Sequence, residues 1–357
     1  MKWMCALLVF SIANLEAAEW FEKLKVPQGF ALKRFAKVPD ARQMTLSPKG
    51  NLYVGSMDKG SVHVVDKTGK VSVLKDGMTM PQGVLWHNND LYIAEVSKVS
   101  KIANFNEDLS KVPELVKVKD FPSDRHHGWK TIAVGPDGKL YVPVGAPCNI
   151  CDKQLPYAAL HRMNLDGSQF ETVASGVRNT VGFAWNPLDK KLYFTDNGRD
   201  MLGDDIPPEE INVVNKVGEH FGYPYLHGSS VKDPLYGAKL PEGLQITKPI
   251  QEMQAHSAAL GIAFFPTDKY PKEYHGCFLV AEHGSWNRSK KAGYQITKGC
   301  IKDGKVVGYA PFITGFKDGE KTLGRPVHFL FLQDGSFYFS DDHDNNIFHV
   351  SFSGTKK

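Results

Sequence analysis

The sequence predicts an all-β protein, a six-bladed β-propeller built from four-stranded antiparallel blades. Three observations support this prediction: one hairpin pattern recurs six times, Gly (33) and Pro (21) are dispersed along the 357 residues, and 42% of the residues are hydrophobic. Dispersed turn-forming residues favour many short strands over long helices, and this apolar fraction suffices for a large buried core. The formal net charge of +4, without a run of basic residues, argues against a nucleic-acid partner.

The first 18 residues have the pattern of a secretory signal peptide, which leaves residues 19–357 as the propeller domain. Lys2 precedes an apolar stretch over residues 3–13, and small residues stand at positions 17 and 18. The apolar stretch is short for a membrane span, so an uncleaved anchor is the less favoured alternative. We therefore expect a periplasmic or secreted protein without a membrane span after signal removal.

Four cysteines remain after this segment, namely Cys148, Cys151, Cys277 and Cys300. In an oxidising compartment an even number indicates disulfides. A local disulfide is the favoured interpretation of the CxxC pair, over a redox pair or half of a zinc site. The other two cysteines flank a predicted hairpin and form the second candidate bridge, although the sequence does not fix the connectivity.

Each copy of the repeat is an apolar strand, a turn rich in Pro, Asp and Gly, and a second strand that usually begins with Leu-Tyr, which is typical of a β-hairpin. The copies span residues 44–54, 84–93, 132–142, 183–194, 262–280 and 329–339. Their corresponding aromatic residues are Tyr53, Tyr92, Tyr141, Tyr193, Phe278 and Tyr338, at intervals of 39, 49, 52, 85 and 60 residues. Repeats of about 40–50 residues indicate propeller blades, with a solenoid or two stacked sandwiches less favoured.

The long fourth interval predicts an insertion at about residues 200–243. This insertion contains four acidic residues, Asp204, Asp205, Glu209 and Glu210. A solvated acidic loop is the favoured interpretation, with a structural Ca²⁺ site as the alternative.

A polar residue stands shortly before each of the six predicted inner strands. These residues are Arg42, Gln82, His127, Arg178 with Asn179, His256 and Arg325. In a propeller the innermost strands line a central channel and open onto a common mouth. The set therefore predicts a ring that binds a polyanionic or highly polar ligand, whereas each residue alone could be a solvated loop side chain.

Several of these residues lie in longer motifs. The motifs include Arg125-His126-His127-Gly128-Trp129, Gly145-Ala146-Pro147-Cys148-Asn149-Ile150-Cys151, Val177-Arg178-Asn179-Thr180, Thr195-Asp196-Asn197-Gly198-Arg199-Asp200 and Ala281-Glu282-His283-Gly284-Ser285-Trp286-Asn287-Arg288. Together they resemble the sorbosone dehydrogenase branch of the pyrroloquinoline quinone (PQQ) sugar dehydrogenases over nearly all of the mature chain. The resemblance implies a soluble propeller that binds PQQ and Ca²⁺ and oxidises a sugar, either an aldose or a sorbosone-type aldehyde or hemiacetal. It also implies an electron acceptor such as a cytochrome or a quinone.

The resemblance assigns the general base to His127, which would take the proton of a sugar C1 hydroxyl while hydride passes to C5 of the quinone. An imidazole suits this role because it titrates near neutrality. Neighbouring side chains on an extended strand point to opposite sides, so only one of His126 and His127 should face the cofactor. Eight residues separate His127 from Gly135, which resembles the spacing of the base in the related glucose dehydrogenases and favours His127.

The resemblance also supplies the remaining site residues. Cofactor contacts are expected from Gln82, Arg178, Asn179, His256, Trp286, Arg288 and Arg325, since arginines bind carboxylates and aromatic rings stack on a planar ligand. An ordinary core aromatic remains the alternative for Trp286. The backbone carbonyls of Gly198 and Arg199 match the turn that supplies Ca²⁺ ligands.

The sequence departs from the glucose dehydrogenases of this family at two places. Ala146 stands where those enzymes have an Asp that orients the catalytic His, so the partner of His127 must come from elsewhere. Their cofactor-binding Lys has no counterpart in His283-Gly284-Ser285.

Two other functions compete with the dehydrogenase. One is a Ca²⁺-dependent lactonase or esterase-like hydrolase that uses Asn179, Asp196 and Asp341 around a metal. The arginines of the ring argue against it, because they would repel a central cation unless an anionic cofactor lay between them. The other is a non-catalytic binding propeller, since fold alone does not determine function.

Overall fold

The computed structural model describes residues 19–354, and over this range the chain forms a six-bladed β-propeller of mainly four-stranded antiparallel sheets. The predicted fold class is confirmed. The predicted signal peptide lies outside the described residues. Among residues 19–354, none of the helices has the length and apolar character that a membrane span requires.

Each blade runs from an inner strand at the channel to an outer strand at the rim. Blade 1 contains, in that order, Met44–Leu46, Leu52–Val54, Val62–Val65 and Val71–Lys75, and blade 2 contains Gly83–His87, Asp90–Ala94, Lys98–Ile102 and Val116–Asp120. Blade 3 contains Ala133–Val134, Leu140–Val144, Ala159–Met163, Glu171–Ser175 and a parallel fifth strand, Glu219–His220. Blade 4 contains Phe183–Trp185, Leu192–Asp196, Glu209–Val214 and Gln251–Met253. Blade 5 contains Ala259–Phe264, Cys277–Glu282, Gln295–Lys302 and Lys305–Ile313, and blade 6 contains Pro326–Phe331, Phe337–Asp341, Asn346–Phe352 and Phe30–Lys37.

Several short elements lie outside the blade sheets. They are the 3₁₀ helices Trp20–Lys23, Gly237–Lys239 and Lys272–Tyr274, the hairpin of Leu226–His227 with Val231–Lys232, and the hairpin of Lys317–Asp318 with Lys321–Thr322.

The ring closes through blade 6, whose outermost strand comes from the beginning of the described chain. Phe30–Lys37 pairs antiparallel with Asn346–Phe352, from Phe30 opposite Phe352 to Lys37 opposite Asn346. The chain thus joins its first and last strands in one sheet, which ties both ends of the domain into the ring.

Six of the eight hydrophobic clusters in residues 19–354 lie between neighbouring blades, one for each pair of blades. This arrangement explains the Leu-Tyr repeat, because successive strand residues point to opposite faces of a sheet. In blade 2, Leu91 packs against blade 1 whereas Tyr92 packs against blade 3. Each Leu-Tyr pair of blades 1–4 therefore fills the gap on either side of its own blade.

Two expectations about the chain between the repeats have clear outcomes. The third strand of blade 4, Glu209–Val214, lies inside the range predicted as an insertion, so the extra chain is the stretch 215–250 between that strand and the fourth. Both candidate disulfides are present, Cys148–Cys151 and Cys277–Cys300, and the second joins paired residues of neighbouring strands in blade 5.

One buried histidine of blade 3 predicts a loss of stability in acid. His161 is 0% exposed, and its Nε2–H donates to the Pro156 carbonyl at 2.8 Å. Burial lowers the pKa of His161 from 6.5 to about 4. Between these values the unfolded chain binds the proton and the folded chain does not, so stability falls as the pH drops from 6.5 towards 4. The loss is about 3 kcal/mol at 1.36 kcal/mol per pKa unit.

We expect the variant His161→Gln to lose less stability than the wild type between pH 7 and pH 4. Urea unfolding at several pH values measures the difference. Parallel curves for the two proteins would contradict the assignment.

Candidate active site

A cavity of about 440 Å³ opens at the mouth of the channel. Most of its wall is formed by turns that precede the first strand of a blade or follow the second strand. A hairpin begins and ends at the same end of its blade, so these two kinds of turn meet at one face of the propeller. Residues distant in sequence, such as Arg42 and Asp342, are brought together in this way.

Seven of the ten predicted site residues line this cavity: His127, Arg178, Asn179, Gly198, His256, Trp286 and Arg325. Five of the six ring positions inferred from the repeats therefore share one surface, and Gln82 is the exception. The other three, Gln82, Arg199 and Arg288, lie outside the lining and bind other protein groups.

Gln82 stands behind the cavity wall and is 1% exposed. Its side-chain oxygen accepts hydrogen bonds from Nε of Arg42 at 3.0 Å and from Nη2 at 2.8 Å, and its amide nitrogen donates to the Thr131 hydroxyl at 3.0 Å. Gln82 thus fixes Arg42, which does line the cavity. Residue type alone could not distinguish a ligand contact from this supporting position.

The side chains of Arg288 and Arg199 bind chain segments beside the cavity. Arg288 donates from Nη2 to the Asp205 carboxylate at 3.3 Å and from Nη1 to the Asp204 carbonyl. Arg199 donates to the Asp233 carboxylate at 2.6 Å, inside the extra chain of blade 4.

His127 has one ring nitrogen fixed by the backbone. Its Nδ1 lies 2.8 Å from the Ala146 carbonyl oxygen, which can only accept, so Nδ1 carries the proton and Nε2 is free of one in the neutral ring. Burial, with the charge of Arg178 and neighbouring His126, holds the pKa of His127 well below 6.5. The partner of His127, which the sequence analysis expected from elsewhere than an Asp side chain, is thus the backbone carbonyl of Ala146.

The segment around His127 is a turn and not the extended strand assumed from the sequence. His127 has φ of 51°, and the ring centroids of His126 and His127 are 4.1 Å apart. His127 is nevertheless buried while His126 is exposed. Gly145 makes this possible, since a Cβ at that position would lie 2.5 Å from Cβ of His127.

Arg178 is held in a dense set of hydrogen bonds at the cavity wall, and its side chain is only 4% exposed. Nη1 donates to the Asn197 carbonyl at 3.1 Å, and Nη2 donates to the Asp200 carboxylate at 3.1 Å. The backbone N–H groups of Arg178 and Asn179 donate to the Asp196 carboxylate at 2.8 and 2.6 Å. The guanidinium therefore has one fixed orientation.

A second arginine cluster joins blades 1, 5 and 6. Asp342 accepts from Nη1 of Arg42 at 2.5 Å and from Nε2 of His283 at 2.8 Å. Burial lowers the pKa of His283 to about 4, so its ring is neutral at pH 7 and donates this hydrogen bond. Although burial opposes ionisation, His283 and Arg42 hold the pKa of Asp342 well below 3.8.

Arg325 and Trp286 form another part of the wall. Arg325 donates from Nε to the His283 carbonyl at 3.1 Å and from Nη2 to the Gly284 carbonyl at 2.5 Å. Its Nη1 has no hydrogen bond to any residue in the range 19–354 that the structure describes. Trp286 is 67% exposed at the rim, so it is not a core aromatic.

Oxygen-bearing residues line the blade 4 side of the cavity, namely Asn179, Asn197, Gly198 and Glu209. The Glu209 carboxylate accepts from the Gly198 N–H at 2.6 Å. Burial raises the pKa of Glu209 to about 8.

The expected solvated acidic loop is therefore wrong for two of its four members. Glu209 and Glu210 are buried on the third strand of blade 4. Two adjacent acidic residues are not typical of a buried strand, so the sequence did not indicate one at Glu209 and Glu210.

Trp129 is a cavity residue that the sequence did not single out. Its Nε1 is a buried donor without a hydrogen-bond partner in the described part of the chain. Its place two residues after His127 is the signal that could have identified it.

Comparison with known proteins places the chain in a family. A family model described as "Domain of unknown function (DUF7133)" matches residues 16–352. The chain belongs to the DUF7133 family. An uncharacterised protein of Borreliella burgdorferi is 35% identical to this DUF7133 protein over 366 residues, which cover 97% of this chain and 95% of the relative. The aldose sugar dehydrogenase YliI of Escherichia coli is 29% identical over 119 residues, 32% of this chain and 30% of that enzyme.

Solved structures share the fold of this DUF7133 protein. An iodide structure of a Trichoderma reesei carbohydrate-active enzyme of family AA12 has a TM-score of 0.77 at 19% identity, covering 92% of this chain and 98% of that one. The holo PQQ domain of pyranose dehydrogenase from Coprinopsis cinerea gives 0.74 at 17%, covering 92% and 97%. PQQ-bound aldose sugar dehydrogenase from Streptomyces coelicolor gives 0.66 at 18%, covering 92% and 99%. At these identities the likeness shows a common fold.

Proposed function

We propose that this protein is a PQQ- and Ca²⁺-dependent sugar dehydrogenase. The observation that carries the proposal is the cavity itself, in which His127, with Nδ1 bound by the Ala146 carbonyl, shares one wall with Arg42, Arg178 and Arg325. A neutral base beside fixed cations suits the binding of an anionic redox ligand and the removal of a substrate proton. Similarity of fold to proteins described as PQQ-bound gives independent support.

The chemistry of the cavity fits PQQ, a flat ring system with three carboxylates. Its volume lies within the range of about 300–1,000 Å³ that is usual for small-molecule sites. Within the described range 19–354, Nη1 of Arg325 makes no hydrogen bond, and the buried N–H of Trp129 has no partner. Both are donors that a ligand rich in acceptor oxygens would satisfy.

The blade 4 side of the cavity fits a hard cation such as Ca²⁺. Carboxylate, amide and backbone carbonyl oxygens are the ligands that Ca²⁺ prefers. Glu209, Asn179 and Asn197 offer such oxygens beside Gly198, whose carbonyl the resemblance names as a ligand. Arg199 would contribute through its backbone, since its side chain binds Asp233.

Bound PQQ would supply an electrophilic quinone that accepts a hydride. The chain's own residues would do the remaining work. The unprotonated Nε2 of His127 would take the proton of the sugar hydroxyl, because its other nitrogen is occupied by the Ala146 carbonyl. The arginines would hold the carboxylates, and exposed Trp286 at the rim offers a flat apolar face.

The lactonase alternative is less well supported by the geometry. It requires Asp196 and Asp341 to present oxygens to a metal in the channel. Both carboxylates instead accept backbone N–H groups, those of Arg178 and Asn179 for Asp196 and that of Arg325 for Asp341. Neither aspartate lines the cavity.

We also propose export to the periplasm or the medium, where reduced cofactor would pass electrons to a cytochrome or a quinone. The two disulfides support this location, because disulfides persist in oxidising compartments. The proposed substrate is a sugar, either an aldose or a sorbosone-type aldehyde or hemiacetal.

The test is reconstitution of the purified apo-protein. We expect added PQQ and Ca²⁺ to bind and to support reduction of an artificial dye with at least one member of a panel of aldoses and sorbosone. Chelation should abolish activity and Ca²⁺ should restore it. Lack of PQQ binding would refute the proposal, and lactone hydrolysis without PQQ would favour the hydrolase.

A further inference from the structure

The loop of residues 148–151 is closed by a disulfide and contacts the wall of the cavity. It follows the second strand of blade 3, Leu140–Val144, and it is closed by the Cys148–Cys151 bridge. Between the two cysteines, Asn149 reaches the blade 4 wall of the cavity.

Asn149 makes four hydrogen bonds to that wall. Its side-chain oxygen accepts from Nη2 of Arg178 at 2.9 Å and from the Asp200 N–H at 2.8 Å. Its backbone carbonyl accepts from Nε of Arg178 at 2.9 Å, and its amide nitrogen donates to the Asp200 carbonyl at 3.0 Å. Both ends of the amide are thus used, and the two partners are cavity residues.

These contacts determine how Arg178 faces the cavity. A guanidinium is planar and donates in a fixed fork, so acceptors at Nε and Nη2 on one edge fix the direction of the rest. Asn149 is the residue that supplies an acceptor at both positions. Without the Asn149 side chain, Arg178 would keep Asp200 and the Asn197 carbonyl but lose its acceptor at Nη2. The Asn149 carbonyl, which accepts from Nε, would also lose the side-chain bonds to Asp200 that hold it in place.

The disulfide and Tyr223 hold the loop from the other side. The Tyr223 hydroxyl accepts from the Cys151 N–H at 2.9 Å and lies 3.6 Å from Sγ of Cys148. Cys148 and Ile150 pack against the small apolar cluster of Ala146, Ala158 and Tyr223, and the Ala146 carbonyl binds His127. A covalent closure of so short a loop removes conformations in which Asn149 would leave Arg178, which is preorganisation of the site.

We infer that Asn149 is a positioning residue, and that the Cys148–Cys151 disulfide serves the cavity by holding Asn149 against Arg178 and Asp200. The inference rests on the proposed function, which identifies PQQ as the ligand. It means that the loop of residues 148–151 orients Arg178 to bind a PQQ carboxylate.

The experiment compares PQQ affinity in four variants of the full chain, measured by quenching of intrinsic tryptophan fluorescence. We expect Asn149→Ala to weaken binding about 10–100-fold, the range seen when supporting hydrogen bonds around a bound group are removed. Cys148→Ser with Cys151→Ser should weaken it less. The triple variant should bind no worse than Asn149→Ala, because effects transmitted through one residue are not additive. Asn149→Asp, which keeps the acceptor for Arg178, should recover part of the loss.

The second disulfide provides a matched control. Cys277→Ser with Cys300→Ser removes a bridge inside blade 5, away from the cavity lining. We expect a lower Tm for this variant but an affinity within about two-fold of the wild type, because the effects of distant sites are independent. Equal weakening by both cysteine pairs would show general destabilisation and overturn the inference, as would unchanged affinity in Asn149→Ala or additive losses in the triple variant.

A readout without ligand separates this inference from the proposed function. The Nε–H signal of Arg178 in nitrogen-15 NMR, assigned by its absence in Arg178→Lys, should be protected from solvent exchange in the wild type. The acceptor of this N–H is the backbone carbonyl of Asn149, which the Asn149 side chain holds in place through its two hydrogen bonds to Asp200. The signal should therefore lose protection in Asn149→Ala, where that anchor is removed, and in the Cys148/Cys151 variant, but not in the Cys277/Cys300 variant. If the wild type fails to bind PQQ, the proposed function is wrong, and the Arg178 signal alone tests whether Asn149 positions Arg178. A signal that stays protected in Asn149→Ala overturns the inference.

Discussion

Replacement of His127 by alanine is expected to lower kcat about 10²–10⁴-fold, the usual contribution of a general base, and to leave PQQ affinity nearly unchanged. The ring binds the Ala146 carbonyl through Nδ1, so Nε2 is its available basic atom. Alanine removes that atom but leaves the arginines that would bind the carboxylates. Stopped-flow reduction of the bound cofactor by sugar, together with fluorescence titration of PQQ, separates the two effects.

Two further variants act as controls for this prediction. His127→Gln can still donate to the Ala146 carbonyl but cannot act as a base, so it should be as inactive as His127→Ala. His126→Ala should retain most activity, because His126 is exposed while His127 is buried. Turnover that survives in His127→Gln and disappears in His126→Ala would reverse the assignment.

The pH dependence of kcat/KM follows from the same environment. Burial holds the pKa of His127 well below 6.5, so the ring remains unprotonated throughout the neutral range. A base is active above its pKa, and kcat/KM should therefore be level from about pH 6.5 upward and fall only in more acidic solution. A fall centred at or above pH 6.5 would indicate a base in a more exposed environment.

The fold could be predicted from the sequence because its repeat is a local pattern. Leu-Tyr in the second strand of blades 1–4 indicates that both faces of the blade are buried. The six copies of the hairpin then favour radial closure. The polar ring could be predicted for the same reason, since five of the six hairpins place a residue that precedes them at the cavity. The closure of blade 6 by Phe30–Lys37 carried no such signal, because that strand lies outside the repeated hairpin.

The parts of the site that could not be predicted depend on backbone atoms or on burial. The partner of His127 is the backbone carbonyl of Ala146. Every residue has such a carbonyl, so residue type does not indicate which one binds the ring. Gln82 occupies a ring position, yet it bonds to Arg42 behind the wall. Glu209 belongs to a cluster of acidic residues that is typical of a solvated loop, and only the pairing of its strand shows that it is buried.

The ion pair between Asp342 and Arg42 gives the largest expected effect on stability. Asp342→Ala leaves the Arg42 guanidinium, with a side chain 3% exposed, without its carboxylate, and it removes the acceptor of His283. Loss of one partner of a buried pair costs about 3–5 kcal/mol, because the remaining charge stays away from water. Urea unfolding of the apo-protein at pH 7 measures the loss.

An exposed pair provides the comparison. Nε of Arg162 and the Glu171 carboxylate are 2.7 Å apart, with side chains 22% and 45% exposed, and Glu171→Ala should cost less than about 1 kcal/mol.

Arg42 lines the cavity, so in Asp342→Ala its unpaired charge can bind an anionic ligand there. Saturating PQQ should then raise the Tm of Asp342→Ala by more than it raises that of the wild type, because a ligand that replaces the lost carboxylate relieves the unpaired charge. Equal shifts in the two proteins would mean that Arg42 does not contact the ligand.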